Sequence, residues 1–179
     1  PGSRASEISQ LMPVYIAGAK KLLNLNSNRF FLIPAANKKL AEMIKSTKGI
    51  NEIPYKLSIG SAQDFLALSS ISIVTSGTAT LEAAVLGSAP IICYKTNKLN
   101  YAILSRLVST PFVGLPNLLL QEHIFPELIQ NDLTPNSIVN SFSKISSEPE
   151  HYQSYLSDIN DSMRGEGFEV AANAINNLL

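Results

Sequence analysis

Hydrophobic residues in this chain fall alternately into short β-branched runs and longer helical patterns, most clearly between Ile71 and Tyr94. Residues 71–74 form a β-branched run, which is typical of a strand. Ala79 to Leu86 consists of helix formers, and Gly87 follows where a left-handed residue would end a helix. A second apolar run begins at Pro90. Strand, tight turn, helix and strand together predict a βαβ unit of a parallel sheet.

The same alternation continues on both sides of this unit. A helical pattern runs from Ile8 to Leu23, and Pro13 is expected to kink it or to divide it into two helices. Further strands are predicted at 29–34 and 55–59, further helices at 37–48, 62–69, 95–108, 118–130, 135–145, 148–163 and 168–179, and a compact loop at 111–117. This order predicts an α/β fold, a Rossmann-like doubly wound parallel sheet with flanking helices.

The turn before the helix of the βαβ unit carries candidate chemistry. The first amides of a helix lack partners and its dipole is positive there, so Ser76-Gly77-Thr78 is a candidate phosphate site. Thr80 adds a further hydroxyl. Glu82 lies four residues after Thr78 on the same face, where a carboxylate could accept hydrogen bonds from ribose hydroxyls. The alternative is that Ser-Gly-Thr only caps the helix and that Glu82 favours its dipole.

Other turns are expected to converge on the same edge of the sheet. In doubly wound sheets the ligand crevice lies beyond the carboxyl ends of the strands. The turns at 2–4, Gly60-Ser61, 76–78 and Tyr94-Lys95 would all collect there. This convergence favours the ligand hypothesis for Glu82.

Composition excludes several classes of function. Lysine plus arginine equals aspartate plus glutamate at fourteen each, so no net field attracts nucleic acid. The single cysteine, Cys93, excludes an internal disulfide, and its apolar strand indicates a core position. His123 and His151 have no Cys or Asp at ligand spacing, so no metal site or cofactor is predicted. No apolar run approaches the length of a membrane span.

Four separated motifs together resemble one known family. They are Pro1-Gly2-Ser3-Arg4 with Glu7-Ile8 and Leu11; Ser76-Gly77-Thr78-Ala79-Thr80-Leu81-Glu82; Thr110-Pro111-Phe112-Val113 with Leu115-Pro116-Asn117-Leu118; and Pro126-Glu127-Leu128-Ile129-Gln130. In this order and spacing the chain resembles the C-terminal, nucleotide-binding half of lipid-A-disaccharide synthase, an inverting glycosyltransferase built from two Rossmann domains (GT-B).

The resemblance implies a reaction and its participants. The family transfers 2,3-diacylglucosamine from UDP-2,3-diacylglucosamine to 2,3-diacylglucosamine 1-phosphate, which gives the β-1,6-linked lipid A disaccharide and UDP. It implies a bacterial protein in the cytoplasm, peripheral at the inner face of the inner membrane. The acceptor site and the proposed general base lie in the N-terminal half, so we expect this chain to bind UDP without turning over alone.

The resemblance also implies a role for individual residues. Ser76, Gly77, Thr78 and Thr80 would hold the diphosphate, and Glu82 the ribose. Arg4, beside Ser3, would stabilise charge as UDP departs. Asn117 would face the donor's phosphate or sugar. Gly60 and Tyr94 are further donor-binding candidates at the crevice, although packing on the next helix explains Tyr94 equally well.

The resemblance further implies a domain division. The opening turn has no strand before it, and a chain of this class would normally enter such a turn from a buried strand. We therefore expect the sequence to be the C-terminal part of a longer protein. Residues 1–147 would form a nucleotide-sugar-binding domain lacking its first strand. Residues 148–179 would form C-terminal helices that could cross to the N-terminal domain or, by exchange, to a second protomer in a homodimer.

Two observations keep alternatives open. Many family members carry an Arg-Glu pair where this chain has Glu122-His123, so a contact of that arginine is absent or replaced. The Ser-Gly-Thr…Glu motif alone is shared by other UDP-sugar enzymes, such as 2-epimerases and sugar transferases with non-lipid acceptors. A non-catalytic interaction module on a Rossmann scaffold is the third hypothesis.

Overall fold

Parallel strands alternate with helices in the computed structural model, which describes residues 1–96 and 111–164. The strands in this part of the chain are β1 (Phe31–Ala35), β2 (Tyr55–Ile59), β3 (Ile71–Thr75), β4 (Ala89–Tyr94) and β5 (Glu127–Ile129). The helices are α1 (Ala5–Leu25), α2 (Lys38–Lys45), α3 (Ala62–Ala67), α4 (Thr78–Val85), α5 (Leu115–Leu120), α6 (Pro135–Ser147) and α7 (Pro149–Arg164), with 3₁₀ turns at Ile50–Glu52 and Gln130–Asp132.

The strands form two parallel sheets. β1 pairs with β2, with Phe31 opposite Tyr55, while β3, β4 and β5 form the second sheet in that order. In the described residues no ladder joins β1 to β3. Parallel strands flanked by helices confirm the predicted α/β, Rossmann-like class, although the sheet is divided in two.

The hydrophobic core joins both sheets to α1, α2, α6 and α7. β4 has a strand on each side, and its residues from Ala89 to Cys93 are all buried. Helix α1 packs closely on α6, because a Cβ added to Gly18 would lie only 3.1 Å from Ile138 Cδ1. This close approach fixes α1, and with it the turn that precedes α1.

Pro13 does not divide the first helix. Of the two outcomes predicted at Pro13, a kink or a division, the division into two helices is wrong, since α1 is one helix from Ala5 to Leu25 with Pro13 inside it. Pro13 is exposed, whereas Leu11 and Tyr15 on either side of it are buried with the rest of the apolar face. Burial of that face on both sides of the proline offsets the roughly 3 kcal/mol that an interior proline costs a helix.

The predicted helix at 118–130 is wrong beyond Leu120. The chain instead forms α5, which takes in Asn117 and the end of the predicted loop, and then the three-residue strand β5. β5 pairs in parallel with β4, with Leu128 opposite Cys93. The helices predicted at 95–108 and 168–179 fall on or run into residues 97–110 and 165–179, which lie outside the described residues. Lys95 and Thr96 are not helical.

The last described helix packs against the same core as the sheet. Tyr152, Leu156 and Ile159 of α7 are buried in the hydrophobic core, and Asn160 Nδ2 donates to the Val85 carbonyl at 3.4 Å. Residues 149–163 are therefore docked on α4 and its neighbours.

Three side chains form a buried polar cluster under the carboxyl ends of β3 and β4. Tyr15 Oη lies 3.4 Å from Thr75 Oγ1, and the Cys93 thiol donates to the Ile91 carbonyl at 3.6 Å. Burial raises the pKa of the Cys93 thiol to about 12, although a hydrogen bond with Tyr15 acts in the opposite direction. Burial likewise raises the pKa of Tyr15 well above its usual range.

These pKa values predict a loss of stability in alkali. A thiol with a pKa near 9 in the unfolded chain and about 12 in the fold favours folding fully below pH 9, and this contribution is lost as pH rises towards 12. The free energy of unfolding should fall by up to about 1.4 kcal/mol per pH unit in that interval. Urea denaturation between pH 8 and 10 measures the slope. Cys93→Ala should flatten it, and equal slopes in the two proteins would contradict the prediction.

Candidate nucleotide-binding site

The turn from β3 into α4 presents a helix start to open space. Gly77 has φ +145° and ψ −167°, a backbone conformation that residues with a side chain rarely adopt. No atom lies within 4 Å of a Cβ built on Gly77. Gly77, Thr78 and Ala79 are exposed. The first amides of α4, which helical geometry leaves unpaired, therefore belong to accessible residues.

The hydroxyls of this turn have different positions. Thr80 is fully buried and its Oγ1 donates to the Gly77 carbonyl at 2.7 Å, so this hydroxyl holds the turn together. Ser76 is partly buried and its Oγ donates to the Val113 carbonyl at 3.0 Å. Of the three hydroxyls, only that of Thr78 belongs to an exposed residue.

A second corner, before α1, is organised by Glu7. Glu7 Oε2 accepts the amides of Ser3 at 2.8 Å and Arg4 at 3.1 Å, and Oε1 accepts Arg4 Nη1 at 3.2 Å. Gly2 has φ +103°, and a Cβ there would lie 2.5 Å from Glu7 Oε2. Glu7 was not a predicted site residue, although a glutamate at the third helical position is a known signal for capping.

Arg4 is accessible despite its ion pair. Its side chain is 79% exposed, and that of Glu7 is 19% exposed. An exposed ion pair contributes little to stability because water solvates both charges. An anion near the corner could therefore share the guanidinium with Glu7 at little cost.

One cavity of about 620 Å³ brings the two corners together. Its lining includes six of the predicted site residues: Ser3, Arg4, Gly60, Ser76, Gly77 and Thr78. Gly60 has φ +75°, and its amide donates to the Ala35 carbonyl at 3.1 Å, which places the turn after β2 at the same end of the structure. The sequence-based convergence of the turns at 2–4, 60–61 and 76–78 is thus observed.

The other four predicted residues are not in that lining. Thr80 is buried behind the turn. Glu82 is exposed on α4, one turn beyond Thr78. Tyr94 is partly buried at the end of β4.

Asn117 lies inside the protein. It is 0% exposed, and its Nδ2 donates to the Phe125 carbonyl at 2.8 Å and to Glu127 Oε1 at 2.9 Å. Its Oδ1 accepts the amides of Ile124 at 3.2 Å and Phe125 at 2.9 Å. These contacts hold the segment that leads into β5 in place. The Asn117 side chain does not line the cavity.

Glu127 is the second organiser of this segment, and sequence reasoning missed its role. Its two carboxylate oxygens accept the amides of Val113 and Gly114, each at 2.9 Å, as well as Asn117 Nδ2. Val113 in turn accepts the hydroxyl of Ser76. The carboxylate thus connects β5 to the turn after β3. The motif that contains Glu127 could be read from the sequence, but the distant amides that it binds could not.

The hydrogen bonds of the Glu127 carboxylate predict that a single substitution there destabilises the fold. Glu127→Gln should lower the free energy of unfolding by about 1–3 kcal/mol, because an amide NH₂ would face donors where the carboxylate accepts three hydrogen bonds. Urea denaturation measures the effect. Glu122→Gln is the matched control, since Glu122 is exposed, and it should change stability by less than about 0.5 kcal/mol. Equal effects of the two substitutions would contradict the assigned role.

Neither a metal centre nor a membrane span is found in the described ranges. Within residues 1–96 and 111–164, no three His, Cys, Asp or Glu side chains are grouped as metal ligands would be. None of the helices in these ranges combines the length and apolar character that crossing a bilayer requires.

Comparison with known proteins identifies the family. The model of the family described as lipid-A-disaccharide synthetase matches residues 1–175. Proteins named lipid-A-disaccharide synthase match from Alcanivorax borkumensis (33% identity, 100% of this chain and 48% of the relative) and Dechloromonas aromatica (31% identity, 98% and 48%). A third, from Methylobacillus flagellatus, is 35% identical over 92% of this chain and 43% of its own length. The chain spans about half the length of these relatives, and it belongs to the lipid-A-disaccharide synthase family of glycosyltransferases.

Proposed function

We propose that this chain is the donor-binding half of a glycosyltransferase that uses UDP-2,3-diacylglucosamine and releases UDP. The observation that carries the proposal is the shared cavity between Arg4 and the Gly77-Thr78 start of α4. An exposed guanidinium on one side and a helix N-terminus on the other suit the two charges of a diphosphate. Membership of the lipid-A-disaccharide synthase family supports a UDP-sugar as the donor.

The roles of individual residues follow from their accessibility. The amides at Thr78 and Ala79 and the hydroxyl of Thr78 would bind the diphosphate, and Arg4 would neutralise it as UDP departs. Glu82, exposed one turn further along α4, would accept hydrogen bonds from the ribose. Ser76 and Thr80 would shape the turn through their contacts with Val113 and Gly77.

Acceptor binding and general base catalysis would require more than this chain. The acceptor, 2,3-diacylglucosamine 1-phosphate, and the general base would be held by an N-terminal domain, so this chain alone would bind UDP without catalysis. Because donor and acceptor both carry acyl chains, the reaction would take place at the inner face of the bacterial inner membrane. A homodimer is part of the same proposal.

Titration calorimetry with UDP, UDP-N-acetylglucosamine and ADP tests the proposal. We expect UDP to bind more tightly than ADP, and Arg4→Ala to weaken UDP binding by about 1–3 kcal/mol, the range of a charge-assisted hydrogen bond. Lys45→Ala is the matched control, because Lys45 forms a similar exposed ion pair with Glu42 at 3.0 Å but does not line the cavity. An equal loss in both variants, or no binding of any nucleotide, would refute the donor-binding role.

The two ends of α4 offer a second test. Gly77 and Gly87 both have positive φ, and at neither residue does any atom lie within 4 Å of the place that a Cβ would occupy. Gly77→Ala and Gly87→Ala should therefore each lower stability by about 1–3 kcal/mol through backbone strain. Only Gly77→Ala should also weaken UDP binding, measured at a temperature where both variants are folded. Equal UDP affinity in the two variants would exclude the α4 start as the diphosphate site.

A further inference from the structure

Two glutamines have a backbone conformation that residues with a side chain rarely adopt. Within the described residues, Gln121 (φ +54°) and Gln130 (φ +52°) are the non-glycine residues with positive φ. Gln121 ends α5, where a left-handed residue is common, and its Nε2 donates to the Leu118 carbonyl at 2.6 Å. Gln130 directly follows β5 and ends no helix. Helix capping therefore does not explain its strain, and strained residues of this kind cluster at functional sites.

The side-chain amide of Gln130 is poorly satisfied. Its Nε2 is buried without a hydrogen-bond partner, which in the described part of the chain is otherwise true only of the hydroxyls of Ser72 and Ser88. Its Oε1 accepts one long hydrogen bond, from the Thr96 amide at 3.4 Å. A buried donor without a partner costs free energy, because it has lost its hydrogen bonds to water. Turning this side chain towards a ligand would give up only the bond to Thr96.

Strand register places Gln130 level with the start of α4. β3 ends with Thr75 opposite Cys93, and β5 ends opposite Tyr94. Continued past these ends, the two registers put Gln130 in the same row as Gly77 at the carboxyl edge of the sheet. The two residues would be two strand spacings apart, about 10 Å. In doubly wound sheets this edge is where ligands bind.

Gln130 and the cavity lie on opposite sides of the α4 start. The cavity is lined by residues of β1 and β3 and by Gly60 after β2, whereas β4 and β5 contribute none of its lining. A UDP-sugar held by its diphosphate at this helix start extends in two directions, with uridine on one side and the sugar on the other. The group that lies towards β5 would reach the row of Gln130.

The chemistry of an amide side chain favours the sugar as that group. A glutamine amide donates two hydrogen bonds and also accepts them. The hydroxyls of a glucosamine ring do both, and its acylated nitrogen adds an N–H and a carbonyl. Sequence reasoning assigned a contact with phosphate or sugar to Asn117, but that amide already makes four hydrogen bonds inside the protein. Of the two amides, that of Gln130 has the unused donor.

We propose that Gln130 is a donor-specificity residue, whose side-chain amide turns from Thr96 to bind the glucosamine unit of the UDP-sugar. This role rests on the proposed donor-binding function and adds to it the group that distinguishes a sugar nucleotide from UDP. The positive φ would keep the side chain at the carboxyl edge, at a cost to the stability of the free protein.

Titration calorimetry with UDP and UDP-N-acetylglucosamine tests this role. Gln130→Met keeps the length of the side chain but removes the amide. It should weaken binding of UDP-N-acetylglucosamine about tenfold, the effect of one or two hydrogen bonds, and leave the UDP affinity within about twofold. Gln121→Met is the matched control, because Gln121 shares the positive φ but is exposed and has its own partner. It should change neither affinity.

Thermal stability separates a ligand contact from a structural role. Gln130→Gly and Gln121→Gly both relieve a positive φ, so both should keep or raise the Tm of the free chain. Only Gln130→Gly should also weaken binding of UDP-N-acetylglucosamine. A lower Tm for Gln130→Gly alone would overturn the proposal by making Gln130 a purely structural residue.

Failure of this role and failure of the donor-binding function give different results. If the unchanged chain binds neither ligand, the donor-binding function is refuted and the role of Gln130 falls with it. If UDP binds and Gln130→Met leaves the affinity for UDP-N-acetylglucosamine unchanged, only the role of Gln130 is refuted. An equal loss of affinity for both ligands in Gln130→Met would also refute it, because the contact would then be with the nucleotide.

Discussion

The hydrogen bond from the Ser76 amide to the Cys93 carbonyl, 2.8 Å long, fixes where the β3–β4 ladder ends. Gly77 follows at once with its positive φ, and α4 begins at the next residue. The helix start is therefore held to the carboxyl edge of the sheet by backbone pairing. A ligand that binds to the first amides of α4 would meet groups already held in place by the sheet.

Polar side chains around this edge act mainly on the protein itself. Glu7 fixes the corner at Ser3 and Arg4, and Glu127 fixes the amides of Val113 and Gly114. Each carboxylate satisfies amides that a turn would otherwise leave without partners, which suits an acceptor with two oxygens. One corner of the candidate site is thus held by the carboxylate of Glu7, while Glu127 holds the segment whose Val113 carbonyl accepts the Ser76 hydroxyl.

The βαβ unit could be predicted from the sequence because its signals are local. The β-branched run at 71–74, the glycines at 77 and 87 and the helix formers between them each act within a few residues. The same holds for β2, whose predicted and observed bounds agree at Tyr55 and Ile59.

The predictions failed where contacts between distant parts of the chain determine the structure. β5 has only three residues and exists because it pairs with β4, while Pro13 remains in a helix because the apolar face of α1 is buried on both sides of it. The position of Asn117 depends on partners eight and ten residues away, which local pattern does not reveal.

The two corners of the cavity differ in what holds them. The corner at Ser76 to Thr78 is fixed by backbone pairing within its own sheet, since β3 pairs with β4. The corner at Gly2 to Arg4 is fixed by Glu7 and by the packing of α1. In the described residues the position of Arg4 relative to the start of α4 therefore depends on the packing of α1 and on one carboxylate, since no ladder joins β1 to β3.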